Sequence, residues 1–148
     1  MPEADPIPAA CLDEVERVYA ELDAELAALG HACRACGECC DLVRHGFRLY
    51  LSTLELALIR DRCRIDRLPP QQDGRCGFQA ADGRCTIHRV RPLGCRTFFC
   101  DTEAGHLNEM YEKTLKKLKH IAEKWGCAWE YSQKYPEPDG QSPMTSDQ

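Results

Sequence analysis

The chain has 148 residues, 43% of them hydrophobic. That is enough for one domain with a real core, and too much for a wholly disordered chain. No apolar run approaches the roughly 20 residues needed to cross a bilayer, and a net charge of −5 with a pI near 5.5 argues against general nucleic-acid binding.

Residues 1–10 carry Pro2, Pro6 and Pro8 and are expected to be a loose N-terminal segment. Leu12, Val15, Val18, Leu22, Leu26 and Leu29 then recur at three- and four-residue spacing. That spacing predicts an amphipathic helix, with Asp13 and Glu14 in its first turn and Gly30 at its end. Cys33 to Asp41 reads as a tight cysteine turn. Val43, Phe47, Leu49 and Leu51 alternate in part and suggest a short strand. Ser52 and Glu55 form a capping-box pair that should open a short helix through Leu54, Leu58 and Ile59, ending near Cys63. Leu68 to Gly83 holds paired prolines, Asp73-Gly74 and Asp82-Gly83, and reads as loop with tight turns. Thr86-Ile87 suggests a strand fragment. Leu107, Met110, Tyr111, Leu115, Leu118, Ile121, Ala122 and Trp125 form one stripe of a second long helix from Gly105 to Trp125, stopped by Gly126. Pro136 to Gln148 is polar and is expected to be a disordered tail.

Charge follows the same divisions. Residues 1–32 hold eight acids against Arg17 alone, a net −7. Residues 33–100 hold twelve arginines, no lysine and seven acids, a net +5. Residues 101–148 hold nine acids and six lysines, a net −3. Lys113, Lys116, Lys117, Lys119 and Lys124 read as a solvated helix face rather than a docking site for an acidic partner, because Glu109, Glu112 and Glu123 intersperse them.

Eleven cysteines is the outlying count, and nine of them lie in the positive middle. Met1 to Ala10 has two acids and no base, unlike a secretory leader, so a cytoplasmic location with reduced thiols is expected. Reduced cysteines at this density point to metal ligation or thiol reactivity rather than disulfides. Eight of them form two groups: Cys33, Cys36, Cys39 and Cys40, then Cys76, Cys85, Cys95 and Cys100. A C-x2-C pair puts two thiolates on one turn, where both reach a single ion. The further step to Cys39 is similar to runs that wrap iron–sulfur clusters, but Cys40 follows without the ferredoxin gap. A zinc ribbon needs a C-x2-C in the second group as well, and none is there.

Four thiolates on Zn²⁺, or on an iron–sulfur core of charge 2+, leave a net −2. Nearby arginines would offset that charge and donate to the sulfurs. Arg91 and Arg96 flank Cys95 and could bond either sulfurs or local carbonyls. Phe98 and Phe99 read as core packing ahead of a shield for a centre. His88, three residues after Cys85, is open as a ligand or as a neighbour of the centre; His31, His45, His106 and His120 are weaker candidates. Cys11, Cys63 and Cys127 fall outside the pattern, near predicted helix ends, and read as packed or exposed thiols. Apolar residues are sparse from Leu68 to Asp101, so a metal is the expected organiser of that stretch: a structural Zn²⁺ contributes about 10–16 kcal/mol, comparable to a domain's whole stability.

The cysteine turn 33–40, Cys76-Gly77-Phe78, Gly83-Arg84-Cys85-Thr86-Ile87-His88 and the run from Arg91-Pro92 to Cys95-Arg96 and Cys100 resemble the YkgJ-type, or CxxCxxCC, cysteine-cluster proteins. The resemblance implies zinc or iron chelation by the eight cysteines Cys33, Cys36, Cys39, Cys40, Cys76, Cys85, Cys95 and Cys100. A more distant similarity to the cysteine motifs of flagellin lysine N-methylases implies, as the alternative, a cluster-dependent redox or protein-modifying enzyme component. Metal delivery is a third option. Walker A, GxGxxG, HExxH and GxSxG motifs are absent, which leans against an enzyme.

The expected protein is mainly α, with an irregular, metal-stabilised, cysteine-rich middle flanked by two long helices and at most short β strands. Residues 11–135 are expected to form one metal-binding domain with its cysteine core at 33–101. The cofactor is expected to be zinc or iron, an iron–sulfur cluster included, in one or two centres. The expected partner is a metal ion, with a protein partner left open, and neither nucleic acid nor membrane is expected.

Overall fold

A computed structural model describes residues 7–30, 48–71, 74–97 and 105–135, with backbone only at 105–107 and 135. The expected polar tail falls outside these residues, as do residues 1–6 of the expected loose start, whereas Ala9 and Ala10 of that start are helical. Val43, Phe47, Phe98 and Phe99 also fall outside them. The described residues form four α-helices and a two-stranded sheet: α1 (Ala9–Ala28), β1 (Leu49–Ser52), α2 (Thr53–Cys63), α3 (Leu93–Arg96), α4 (Gly105–Trp125) and β2 (Tyr131–Tyr135), with a 3-10 turn at His88–Val90.

Helix α1 starts a turn earlier than the stripe predicts. Ala9 and Ala10 are strong helix formers behind Pro8, whose carbonyl accepts from Cys11 N (3.0 Å) and Leu12 N (3.2 Å). Asp13 and Glu14 therefore lie beyond the first turn, which carries no acid. The buried face is Cys11, Leu12, Val15, Tyr19, Leu22 and Leu26, while Leu29 is 56% exposed. Gly30, at φ +87°, closes the helix by donating to Ala27 O.

Helix α2 has the expected limits. Ser52 Oγ accepts from Glu55 N at 3.2 Å and the Glu55 carboxylate accepts from Ser52 N at 3.1 Å, the reciprocal capping box. Helix α4 also has its expected limits; Met110, Leu118, Ile121 and Ala122 are buried, and Gly126 (φ +70°) ends it.

Helices α1 and α4 lie antiparallel, as their ion pairs show: Lys113 with Glu25, Lys117 with Glu21, and Lys124 with Glu14. The lysine face read as merely solvated is in part the counter-charge to the acidic N-terminal helix. Arg62 ties the end of α2 to α1 through Asp13 and Glu16.

Strand β2 is not legible in the sequence pattern. It pairs antiparallel with β1, Ser52 opposite Tyr131 and Tyr50 opposite Gln133, with an irregularity between Leu49 and Tyr50. Thr53 fixes the approach of the C-terminal arm by bonding Glu130 O through its N–H and Ala128 O through its hydroxyl. Tyr131 stacks on Tyr50 and Trp129 and hydrogen-bonds Tyr111. The Thr86-Ile87 expectation fails: those residues are in a turn, and the only bridge there among the described residues joins Gln79 to Cys85. The middle is also less apolar-poor than its composition suggests. Cys76, Phe78, Ile87, Val90 and Leu93 all join the common core.

Candidate metal centre

Three of the eight candidate ligands, Cys76, Cys85 and Cys95, lie within the described residues, each as a thiol. Cys33, Cys36, Cys39, Cys40 and Cys100 lie outside them, as do His31 and His45.

Cys76 is 7% exposed, and its Sγ accepts the Phe78 N–H at 3.4 Å. An amide aimed at sulfur favours the thiolate that a metal needs. The turn is tight because Gly77 lies on the Pro69-Pro70 backbone: a Cβ at 77 would sit 2.4 Å from the Pro69 carbonyl oxygen. Glycine is required there for close approach rather than for an unusual dihedral. The paired prolines, read in the sequence only as loop, are the wall behind this candidate ligand.

Cys85 sits on the opposite leg of the same loop. Thr86 N and its hydroxyl both bond Phe78 O (2.8 and 2.7 Å), Ala80 N bonds Arg84 O (2.7 Å), and Gln79 Nε2 bonds Gly83 O (3.0 Å). Gly83, at φ +91°, makes the reversal, and Asp82 accepts the Arg84 N–H across it. The Asp-Gly signal in the sequence thus places Cys76 and Cys85 on two legs joined by hydrogen bonds.

Cys95 is carried by α3, a single turn of helix following Pro92, and two buried charged groups hold that turn. Glu55 is fully buried, and its carboxylate receives Leu93 N (2.5 Å), Tyr19 OH (2.8 Å), Ser52 N (3.1 Å) and Ser52 Oγ (3.0 Å). A buried carboxylate is tolerated only when its lone pairs are filled in this way. Burial nevertheless pushes its pKa up, against the four donors. Burial, with the Glu55 charge, also raises Tyr19 well above the usual phenol value.

Arg96, 3% exposed, donates from Nε to Arg91 O (2.7 Å), from one terminal nitrogen to Arg89 O (2.8 Å) and from the other to Asp23 (2.6 Å), and lies 4.0 Å above the Tyr19 ring. Arg91 Nε bonds His88 O. Of the two roles open to these arginines, the structure shows bonds to local carbonyls. They fold the peptide around Cys95, which is a positioning role.

His88 is half-buried, and burial together with Arg91 and Arg96 lowers its pKa. The neutral ring is thereby favoured, and that is the form that can ligate a metal. His120 is exposed. Cys63, the last residue of α2, packs at the edge of the core, and its thiol pKa is raised by burial and then by Cys85.

Among the described residues no three Cys, His, Asp or Glu side chains gather around one point. The chemistry of the donor set still fits zinc or iron, since both accept thiolate sulfur and neutral imidazole. The residue that sequence reasoning undervalued is Glu55. Its capping-box position explains its conformation, and only its long-range bond to Leu93 N reveals that it anchors the Cys95 segment.

No helix among the described residues is long and apolar enough to cross a membrane. No curated protein and no solved structure matches the chain in comparison. The sequence model of the CxxCxxCC family, described as "Putative zinc- or iron-chelating domain", matches residues 32–128, which takes in both cysteine groups, α2, α3, α4 and the scaffold that holds Cys76, Cys85 and Cys95. The chain belongs to the CxxCxxCC family, with metal chelation as its general property.

Proposed function

We propose that this protein holds zinc or iron through the thiolates of Cys33, Cys36, Cys39, Cys40, Cys76, Cys85, Cys95 and Cys100, in one or two centres. The observation that carries the reading is the dedicated support of the described thiols. Cys76 Sγ receives an amide N–H, Cys85 is on a hydrogen-bonded reversal, and Cys95 rides on a turn anchored by buried Glu55 and Arg96. Ordinary buried cysteines need no such scaffold. The bound metal would link segment 33–40 to segment 76–100 and neutralise thiolate charge; with iron, it would also supply a redox couple. Residues 11–135 would act as one unit around it.

The test is elemental analysis with a visible spectrum on full-length protein purified without oxygen, for the wild type and for Cys76→Ser and Cys95→Ser. Zinc or iron should copurify, and each substitution should lower the metal content. Iron with matching sulfide and a visible band that bleaches on reduction would identify a cluster and a redox role. Colourless protein with zinc would identify a structural centre. Full metal content in both variants would refute the assignment of these ligands.

A further inference from the structure

Cys11 and Cys127 belong to neither cysteine group and lie 116 residues apart in sequence. The antiparallel packing of α1 on α4 brings them together, because the first turn of α1 meets the end of α4. Both backbones are fixed. Cys11 N bonds the carbonyl of Pro8 at the start of α1, and Cys127 N bonds Ala122 O at 2.8 Å just after the Gly126 reversal. The ion pairs of Lys113 with Glu25, Lys117 with Glu21 and Lys124 with Glu14 set a register that continues to Cys127 opposite Cys11, and both cysteines pack into the same core. Glu14 closes that end of the helix pair, accepting Lys124 Nζ at 2.8 Å and Trp125 Nε1 at 3.2 Å. The two thiols differ in access: Cys11 is 0% exposed, whereas Cys127 is only half-buried. Burial, then Cys127 and Glu14, push the Cys11 thiol up to about 11, so it rests protonated.

We propose that Cys11 and Cys127 form an oxidisable dithiol site, separate from the metal ligands, that closes to a disulfide when the protein meets a hydroperoxide. The unequal burial sets the order of events. The Cys127 sulfur attacks the terminal oxygen of the hydroperoxide; the O–O bond breaks, the alcohol leaves with the thiol proton, and Cys127 becomes a sulfenic acid. The neighbouring Cys11 sulfur then displaces the hydroxyl, an S–S bond forms, and the Cys11 proton leaves with that hydroxyl as water. Two thiols lose two electrons, and one hydroperoxide becomes one alcohol and one water. The product ties α1 covalently to the arm that runs into β2. It closes a loop longer than 100 residues, which stabilises the folded chain by restricting the unfolded one.

Metal-loaded, full-length protein would be treated with a slight excess of hydrogen peroxide, quenched in denaturant with N-ethylmaleimide, digested with trypsin and analysed by mass spectrometry. The expected product joins the peptide ending at Arg17 to the peptide beginning at Trp125, two hydrogens lighter than their sum and separated by dithiothreitol. The metal content should stay constant, and the melting temperature should rise on oxidation. Cys127→Ser, at a half-buried position, should keep its circular dichroism and metal but lose both the cross-link and the rise. The proposal is overturned if both peptides emerge as maleimide adducts while the cysteines of the two groups oxidise. It is equally overturned if Cys127 accumulates as sulfinic acid beside alkylated Cys11. Neither result depends on which metal the protein holds.

Discussion

Glu55 shows how one side chain can serve two levels of the structure. Locally it completes the capping box that starts α2. Beyond its own helix it gathers Tyr19 of α1 and Leu93 N of α3 onto one buried carboxylate. Truncating it would leave those donors buried without an acceptor, at about 1–3 kcal/mol each. Glu55→Ala should therefore cost at least about 3 kcal/mol in urea denaturation and should release metal more readily. Ionisation supplies a second prediction. The folded-state pKa of Glu55 is raised, so the folded chain holds that proton more tightly than the unfolded chain does. Its stabilising contribution is complete below about pH 4.3 and declines as pH rises through the raised value. The stability of the wild type relative to Glu55→Gln, which cannot titrate, should fall from pH 4 upward and then level. A difference that grows with pH would contradict this sign.

At the scale of elements, the molecule separates weak electrostatics from strong. The Lys113–Glu25 and Lys117–Glu21 pairs between α1 and α4 have both partners at least 40% exposed. Such pairs contribute about 0–1 kcal/mol and are screened by salt. They orient the two helices more than they hold them; Val15, Leu22, Leu26, Leu118 and Ile121 do the holding. Arg96 is the opposite case, with three directed bonds in a nearly closed site. Lysine cannot reproduce that fork. Arg96→Lys should cost about 2 kcal/mol and speed alkylation of Cys95, whereas Lys113→Ala should stay within about 0.5 kcal/mol of wild type. Equal effects from both would mean that the buried fork contributes no more than a surface pair. Elements with internal periodicity were legible beforehand: α2 and α4 begin and end where pattern, capping box and glycine stop place them. Strand β2 was not, since Tyr131–Tyr135 is short and acquires its pairing only from β1, about 80 residues earlier.

At the scale of the whole molecule, hydrophobic burial and ligand scaffold occupy different regions. Helices α1, α2 and α4 share one core, while the described residues between α2 and α4 contribute a few buried side chains and many directed hydrogen bonds. Removing the metal from the full chain with a strong chelator should therefore act unevenly. Proteolysis should rise between Arg64 and Thr97, while most of the helical circular dichroism persists. Loss of all helix at once would make the metal essential to the entire domain, and unchanged proteolysis would deny it any organising role.

The sequence by itself determined the family and the candidate donor set, because the order and spacing of cysteines, glycines and prolines are local properties that a linear pattern carries. It also determined α2 and α4 and most of the buried face of α1, because helical periodicity is likewise local. Only the tertiary structure decided what the polar groups do. Arg91 and Arg96 turned toward carbonyls, three lysines of α4 toward acids of α1, and Glu55 toward a backbone amide 38 residues away. Only the tertiary structure, too, brought Cys11 and Cys127 to the same end of the α1–α4 pair, against one core. The reason is physical. A charged or polar side chain has many partners within reach of its chemistry, and burial selects the one that satisfies it. That selection depends on which segments meet in space, which no window of sequence contains.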